Sequence, residues 1–158
     1  MALILSLLLV LTNLFLLPAR AIASYRVNFY DGDNFIVIQG GIKTKVGLAC
    51  LQAPELSQAG GQAARKALKS LVDRQQFSLR VITKDPYGRL LAEVYAGGQN
   101  VNQVLLEQGY AAYRGEFRRE CDRYQAYEQT ARQQNRGIWH TNPPALAPRP
   151  VDGDNTQK

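Results

Sequence analysis

The sequence has little of the chemistry on which many enzyme classes depend. Its 158 residues contain a single histidine, His140, at the start of a proline-rich terminal stretch. This position argues against Ser-His-Asp and Cys-His nucleophilic catalysis, because both need a histidine held firmly beside the nucleophile. The loops G-x-x-x-x-G-K-[ST] and G-x-G-x-x-G are also missing from the sequence, which excludes the usual phosphate-cradling motifs.

Cysteine is almost as scarce, with Cys50 and Cys121 the two examples. They do not form a Cys-x-x-Cys pair, and with one histidine they cannot complete a zinc site in the usual spacing. In an exported chain one disulfide is the simplest account of two cysteines, and two separate buried thiols are the alternative.

The first 23 residues are typical of a signal peptide. Residues 1–23 contain an apolar run, a helix breaker at Pro18 and an A-x-A type cleavage site at Ala21 and Ala23, although no Lys or Arg precedes the run. The alternative is an uncleaved anchor, but Thr12-Asn13 and Pro18 leave the run shorter than the roughly 20 apolar residues that a span needs. We therefore expect a secreted or periplasmic protein without stable membrane association after cleavage.

Loss of the signal peptide leaves 135 residues, enough for one domain with a hydrophobic core. Because Arg20 is removed with it, 18 basic residues face 13 acidic ones, a net charge of +5. An exported basic protein suits polyanions such as nucleic acid, acidic polysaccharide or anionic lipid. The alternative is that the charge serves solubility alone.

The hydrophobic periodicity indicates an α+β fold. Alternating patterns predict strands and patterns with a period near 3.6 predict helices. The predicted strands are 25–31, 34–39, 42–51, 77–81 and 89–96, and the predicted helices are 63–72, 101–107 and a last helix that carries Tyr124 to Ala131 and ends near Gly137. A small twisted barrel is the expected way to close the sheet. Residues 140–158, which are rich in proline, are expected to form a disordered tail.

Carboxylates and arginine remain as candidates for chemistry. Asp31, Asp33, Glu55 and Asp85 lie at predicted turns or strand ends, and Arg89 opens a strand. Carboxylates bind hard cations, a glutamate can take a proton from water, and an arginine can clamp phosphate oxygens. Each position alone also fits an ordinary turn or strand exit, because Asp-Gly-Asp-Asn and Asp-Pro-Tyr-Gly sequences favour turns.

Taken together, these motifs stand in the order of a known family. The sequence resembles the staphylococcal nuclease-like, or thermonuclease, family over roughly residues 25–139, so that residues 24–139 are expected to form one such domain. The family fold is a five-stranded OB-type β-barrel with three helices. The motifs that carry the resemblance are Asp31-Gly32-Asp33, Ala53-Pro54-Glu55, Asp85-x-Tyr87-Gly88-Arg89 with residues 90–95, Asn100-Val101-Asn102 with residues 105–111, and Ala131-Arg132 with Gly137-Ile138-Trp139.

The resemblance implies a chemistry and a set of roles. The family hydrolyses phosphodiester bonds of DNA and RNA with Ca²⁺. By position, Asp33 resembles a calcium ligand and Glu55 the general base that activates water. Arg89 resembles the clamp that stabilises charge in the transition state, and Tyr87 stands where the family contacts a substrate phosphate.

Two positions depart from the family pattern. The family strand usually reads V-R-L-x-G-I-D-A-P-E, whereas residues 46–55 read V-G-L-A-C-L-Q-A-P-E. Gly47 replaces the second arginine, and Gln52 replaces the second calcium-ligating aspartate with a neutral oxygen donor. Lys45 lies about 6.6 Å from Gly47 on the same strand face, but it lacks the planar fork of arginine.

The cysteines also acquire a meaning from the resemblance. Cys50 replaces a family glycine, and Cys121 lies near the start of the last helix, which packs beside this strand in the family fold. The resemblance therefore implies a Cys50–Cys121 disulfide, which closes a long loop and contributes about 2–4 kcal/mol.

The departures set the functional hypotheses. Loss of one preorganised donor typically costs a factor of about 10²–10³ in rate, and two independent losses cost roughly 10⁴–10⁶. Enzyme accelerations reach about 10¹⁷, so we expect a monomeric, exported, calcium-dependent nuclease with weakened catalysis. The alternative is a non-catalytic OB-type module that binds nucleic acid without turnover, and a third reading is a disulfide-stapled envelope protein that binds none.

Overall fold

The computed structural model describes residues 25–140. The predicted signal peptide and nearly all of the predicted tail lie outside the described residues. The strands are β1 (Tyr25–Phe29), β2 (Asn34–Gln39), β3 (Ile42–Leu48), β4 (Leu51–Gln52), β5 (Phe77–Lys84), β6 (Leu90–Ala96), β7 (Gln99–Asn100) and β8 (Ala112–Tyr113). The α-helices are α1 (Gly61–Val72), α2 (Val101–Glu107), the short α3 (Arg118–Cys121) and α4 (Gln125–Gln133), with 3₁₀ turns at Asp122–Tyr124 and Gly137–Trp139.

The main sheet has the order β1-β2-β3-β6-β5, with β7 paired to β6. All neighbours are antiparallel except β3 and β6, which run parallel. The two outer strands approach each other through their side chains, because the ring of Tyr25 on β1 packs edge-on against Phe77 on β5 with centroids 5.3 Å apart. The curled five-stranded path with three main helices confirms the predicted OB-type α+β fold.

The predicted strand over 42–51 is wrong at its end. It breaks after Leu48, and Cys50 adopts a left-handed backbone with φ of +67°, which ends an extended run. The chain then resumes as β4 and pairs with β8 in a second, two-stranded sheet. This corner turns Leu51 and Gln52 away from β3 toward β8.

Two other predicted elements differ from the structure. In β5 the register shifts between Val81 and Thr83, so Val81 is exposed and Ile82 packs against the core instead. The predicted last helix is divided into α3, a 3₁₀ turn and α4, and it ends at Gln133 rather than near Gly137.

The core lies between the main sheet and the helices and is continuous with the β3–β4 corner. Asn102 of α2 is buried there and fully bonded: its Nδ2 donates to the carbonyls of Ala49 (2.9 Å) and Ala92 (3.2 Å), and its Oδ1 accepts from the N–H of Val94 (2.9 Å). Buried amides of this kind specify how elements meet, because an unbonded one is costly. Asn102 therefore ties α2 to the corner that leads into the candidate site.

The structure forms the Cys50–Cys121 disulfide that the resemblance implied. It joins the β3–β4 corner to α3 with the Cα atoms 5.1 Å apart and a sequence separation of 71. Within residues 25–140 no helix has the length and apolar character to cross a membrane.

Candidate active site

The loop Asp31-Gly32-Asp33 joins β1 to β2 and packs directly on the rest of the domain. A Cβ atom on Gly32 would lie 2.4 Å from Cβ of Ala64 in α1 and 2.6 Å from Cβ of Ala53, so a larger residue does not fit. The carboxylate of Asp33 is buried, and its Oδ2 accepts the N–H of Ala53 at 3.0 Å. This bond fixes Asp33 against the exit of β4.

Arg89 lies on the same side of the sheet and is tethered twice. Its Nε donates to Oδ2 of Asp85 at 2.6 Å, and its Nη1 donates to Oδ1 of Asn34 at 3.1 Å. Nδ2 of Asn34 donates in turn to Oδ1 of Asp33 at 2.5 Å. The structure therefore brings Asp33 and Arg89 together through Asn34, a residue that the sequence did not single out.

Asp85 organises the turn that carries Arg89. Its Oδ1 accepts the backbone N–H groups of Tyr87 (2.9 Å) and Arg89 (2.8 Å). Burial raises the pKa of the Asp85 carboxyl, but the hydrogen bonds and charge of Arg89 outweigh burial and leave the pKa below its usual range. Asp85 is thus a fixed anion that orients Arg89, while the Tyr87 side chain stays exposed at the tip of the turn.

Glu55 follows β4 and has a fixed backbone with an exposed side chain. Its N–H donates to Oε1 of Gln58 at 2.7 Å, and its carbonyl accepts the N–H of Gln58 at 2.9 Å. A Cβ on Gly61 would lie 1.9 Å from that carbonyl oxygen, so α1 begins directly against Glu55. The exposed carboxylate of Glu55 can therefore reach a ligand, while the backbone that carries it is held in place.

Gly47 lies beside Asn34, the residue that links Arg89 to Asp33. It is directly opposite Asn34 in the β2–β3 register. A Cβ there would point at Asn34 Oδ1, 3.2 Å away, and would lie 2.9 Å from Cδ2 of Leu91. Even a Cβ atom at position 47 would therefore crowd Leu91 and the amide oxygen that accepts from Arg89.

A surface cleft of about 430 Å³ opens beside Asn34 and Arg89. Lys45, Asp31, Asn34, Arg89 and Tyr30 are among its lining residues. Lys45 therefore contributes a second cation to the same cleft as Arg89. A cleft with two cations on its wall suits a phosphate group.

Gln52 is buried in β4 and is held by a residue that sequence reasoning missed. Its Oε1 accepts a hydrogen bond from Nη1 of Arg114 at 2.8 Å. Arg114 follows β8, and its N–H donates to the carbonyl of Cys50 at 2.9 Å. The sequence carried no local signal for this contact, because 62 residues separate Gln52 from Arg114.

Asp33 and Gln52, the predicted calcium ligands, are both buried, and they differ in the oxygen that each would offer to a metal ion. Calcium takes roughly six to eight oxygen ligands and favours carboxylates. Asp33 supplies a carboxylate, whereas the amide oxygen of Gln52 already accepts a hydrogen bond from the cationic Arg114. The positive charge of Arg114 opposes that of a calcium ion bound to the same oxygen. Across residues 25–140 no group of three or more His, Cys, Asp or Glu side chains is placed to hold a metal ion.

Comparison with known proteins shows the family of the chain. Residues 45–141 match the family model described as staphylococcal nuclease homologue. A micrococcal nuclease of Shigella flexneri is 36% identical over 132 residues, which cover 77% of this chain and 75% of that protein. An uncharacterized endonuclease of Haemophilus influenzae is 38% identical over 119 residues (75% of this chain, 66% of that protein), and one of Escherichia coli O157:H7 is 34% identical over 114 residues (72% and 74%).

Proposed function

Because this chain belongs to the family of staphylococcal nuclease homologues, we propose that it is a nuclease that hydrolyses phosphodiester bonds of DNA or RNA. The observation that supports this most is the hydrogen-bonded link from Arg89 and Asn34, both in the cleft wall, to the buried Asp33. The exposed Glu55 follows two residues after Ala53, whose N–H binds Asp33. A buried anion, a tethered guanidinium and an accessible carboxylate are the parts that phosphodiester hydrolysis needs.

In the proposed reaction Glu55 acts as general base. It takes a proton from water, the water oxygen forms a bond to phosphorus, and the bond from phosphorus to the leaving oxygen breaks. The leaving oxygen then takes a proton from solvent. General-base catalysis of this kind contributes a factor of about 10²–10⁴.

Arg89 has the complementary role. Asp85 accepts from its Nε and Asn34 accepts from its Nη1, so its guanidinium is oriented at two nitrogens, and the side chain is 30% exposed. Donors oriented before the reaction stabilise charge that develops on the phosphoryl oxygens. Tyr87, exposed at the tip of the same turn, is placed to contact a neighbouring phosphate of the substrate.

In the proposed site Asp33 and Gln52 are the expected calcium ligands. The amide oxygen of Gln52 already accepts a hydrogen bond from Arg114. We therefore expect calcium to bind this chain weakly, and the roles of Glu55 and Arg89 described above do not depend on it. Isothermal titration of the protein with CaCl₂ measures this directly, and a micromolar Kd would contradict it.

We also propose that the protein acts outside the cytoplasm as a monomer with nucleic acid as its partner. The Cys50–Cys121 disulfide supports an oxidising compartment, where such bonds persist. The net charge of the chain is +6, which favours a polyanionic substrate. Fractionation of the source cells, followed by sizing chromatography, tests location and oligomeric state.

The second candidate is a non-catalytic module that binds nucleic acid in the same cleft. Gly47 and the engaged oxygen of Gln52 favour it, because both remove help from the chemistry. Release of acid-soluble nucleotides from DNA, with Ca²⁺ and with EDTA, distinguishes the two functions. Cleavage that falls at least 100-fold in Glu55→Ala supports the nuclease; salt-dependent binding without any cleavage supports the module.

A further inference from the structure

We propose that Arg114 is the second phosphate-contacting arginine of this site. It takes the role of the arginine that the family has where this chain has Gly47, but it lies in a different segment of the chain. The inference rests on the proposed nuclease function and adds a catalytic residue to it. Arg114 is carried by the segment after β8, whereas Gly47 lies in β3.

The first support is the way the two arginines are held. Nε of Arg114 donates to Oε1 of Glu116 at 3.2 Å, and Nη1 donates to the amide oxygen of Gln52 at 2.8 Å. Arg89 uses the same atoms in the same way, with Nε on the carboxylate of Asp85 and Nη1 on the amide oxygen of Asn34. Each guanidinium thus has one carboxylate and one amide as its tethers.

The second support is that both arginines keep donors for a ligand. Their side chains are 25% and 30% exposed for Arg114 and Arg89 respectively. The hydrogen bonds described above use two of the five N–H donors of each guanidinium, Nε and one at Nη1. A guanidinium has five N–H donors in a planar fork, so each can still bind phosphate oxygens.

The third support is that both tethers lead to the same buried carboxylate. From Arg89 the path runs through Asn34 to Oδ1 of Asp33. From Arg114 it runs to Gln52, and the next residue, Ala53, donates its N–H to Oδ2 of Asp33. The buried carboxylate of Asp33 is therefore linked to both guanidiniums, one just before β6 and one just after β8.

The position of Arg114 is rigid enough for this role. Its N–H binds the carbonyl of Cys50, which the disulfide ties to Cys121. The preceding N–H, of Tyr113, donates to Oε2 of the buried Glu128 in α4 at 2.9 Å. Supporting bonds of this kind place a side chain accurately, and accuracy is what a charge-stabilising group requires.

Steady-state cleavage of a fluorescent single-stranded DNA tests the proposal. Loss of one preorganised donor group predicts that Arg114→Ala lowers kcat by about 10²–10³. Arg114→Lys keeps the charge but loses the fork, so it should recover less than a tenth of the parent rate. Arg119→Ala removes the same charge from an exposed position nearby and serves as the matched control, with the parent rate expected.

A rescue separates a chemical role from a structural one. Gly47→Arg in the Arg114→Ala background returns a guanidinium to the cleft and should raise kcat at least tenfold, once the flexible end of Leu91 moves aside. Failure of this rescue, together with a fall in Tm in Arg114→Ala, would show that Arg114 is structural. An unchanged kcat in Arg114→Ala would overturn the proposal outright.

Binding distinguishes failure of this proposal from failure of the nuclease function. Anisotropy of the same DNA with Glu55→Gln protein measures phosphate contacts without cleavage. Arg114→Ala should reduce the magnitude of the slope of log K against log salt by about 0.7, the value for one contact to a single strand. If the parent cleaves no DNA, this slope still decides the proposal: a loss for Arg114→Ala and not for Arg119→Ala supports it, and equal slopes contradict it.

Discussion

Nε of Arg89 lies 2.6 Å from Oδ2 of Asp85, and the same carboxylate accepts the backbone N–H of Arg89 through its other oxygen. One acidic side chain therefore sets both the turn and the direction of the guanidinium that it carries. Asp85 is therefore a positioning residue, which acts on the reaction through Arg89 and not by contact with the substrate.

Replacement of Asp85 by asparagine should separate orientation from binding. An amide keeps the size but offers one acceptor oxygen where the carboxylate offers two, so Arg89 loses a charge-assisted tether. We expect kcat to fall at least tenfold with a smaller change in KM, and stability to fall by about 1–3 kcal/mol. Urea denaturation and cleavage kinetics measure the two effects.

The matched control for Asp85 is Asp73→Asn. Asp73 pairs with Lys69 at 3.3 Å on the exposed face of α1, and exposed pairs contribute about 0–1 kcal/mol. If Asp73→Asn and Asp85→Asn lowered kcat equally, the orienting role of Asp85 would be wrong.

Acid should weaken the domain through Glu93. Burial raises the pKa of this fully buried carboxyl, but hydrogen bonds from Arg80, Tyr95 and Arg123 outweigh burial and lower the pKa from 4.5 to about 2. Because the pKa is depressed in the folded state, the stabilisation is complete above pH 4.5 and is lost as the pH falls to about 2. The shift corresponds to about 3 kcal/mol.

Urea denaturation between pH 6 and pH 2 measures this dependence. Glu93→Gln should be less stable at pH 6, since Arg80 and Arg123 lose their shared anion, and its stability should vary less with pH. A parent and a Glu93→Gln variant with parallel pH profiles would contradict the role of Glu93.

The disulfide should matter for stability and for the site together. A loop of the length closed by Cys50 and Cys121 contributes about 4 kcal/mol in the chain-entropy account. The double variant Cys50→Ser, Cys121→Ser should lose about that free energy of unfolding and should also cleave more slowly, because the corner at Cys50 holds the backbone of Arg114. Dithiothreitol should reproduce both effects in the parent and leave the double variant unchanged; a parent unaffected by reduction would oppose this.

Gly32 should be sensitive because of contact rather than backbone conformation. Gly32→Ala places a methyl group 2.4 Å from Cβ of Ala64, and overpacking costs about 1–3 kcal/mol. A shift of Asp33 by about 1 Å should then lower the cleavage rate by about 10². Thermal unfolding and cleavage kinetics on the same preparation record both.

Gly98→Ala is the control for the opposite case. Gly98 has φ of +76°, and no described atom lies within 4 Å of a Cβ built there. Gly98→Ala should lower the free energy of unfolding by about 1–2 kcal/mol from backbone strain alone, without altering cleavage. Equal effects of the two substitutions on cleavage would contradict the account of the loop.

The sequence predicted the elements whose signals are local. The strand pairs around Asp31-Gly32-Asp33 and around residues 85–88, and the helix over 101–107, follow from periodicity and turn chemistry, and the structure has them. The motifs around Asp33, Glu55 and Arg89 also identified the family. These features depend on neighbours within a few residues, so a linear pattern carries them.

The remainder depended on contacts between distant segments. The break at Cys50 reflects the pairing of β4 with β8 and the bond to Cys121, and neither is visible in the apolar run of residues 46–51. Arg114 follows the two-residue strand β8 (Ala112–Tyr113), and no sequence motif surrounds it. Only the pairing of β8 with β4 brings it to Gln52. The sequence therefore showed how positions 47 and 52 depart from the family pattern, while the fold shows that Arg114 contacts Gln52.

We propose above all that Glu55 acts as the general base of a nuclease site. Single-turnover cleavage of end-labelled single-stranded DNA by the parent, by Glu55→Gln and by Glu120→Gln tests this claim most directly. Glu120→Gln is the control, because it removes the same charge from an exposed position. We predict cleavage by the parent and by Glu120→Gln at equal rates, and a rate at least 100-fold lower for Glu55→Gln. Equal rates for all three proteins would contradict the claim.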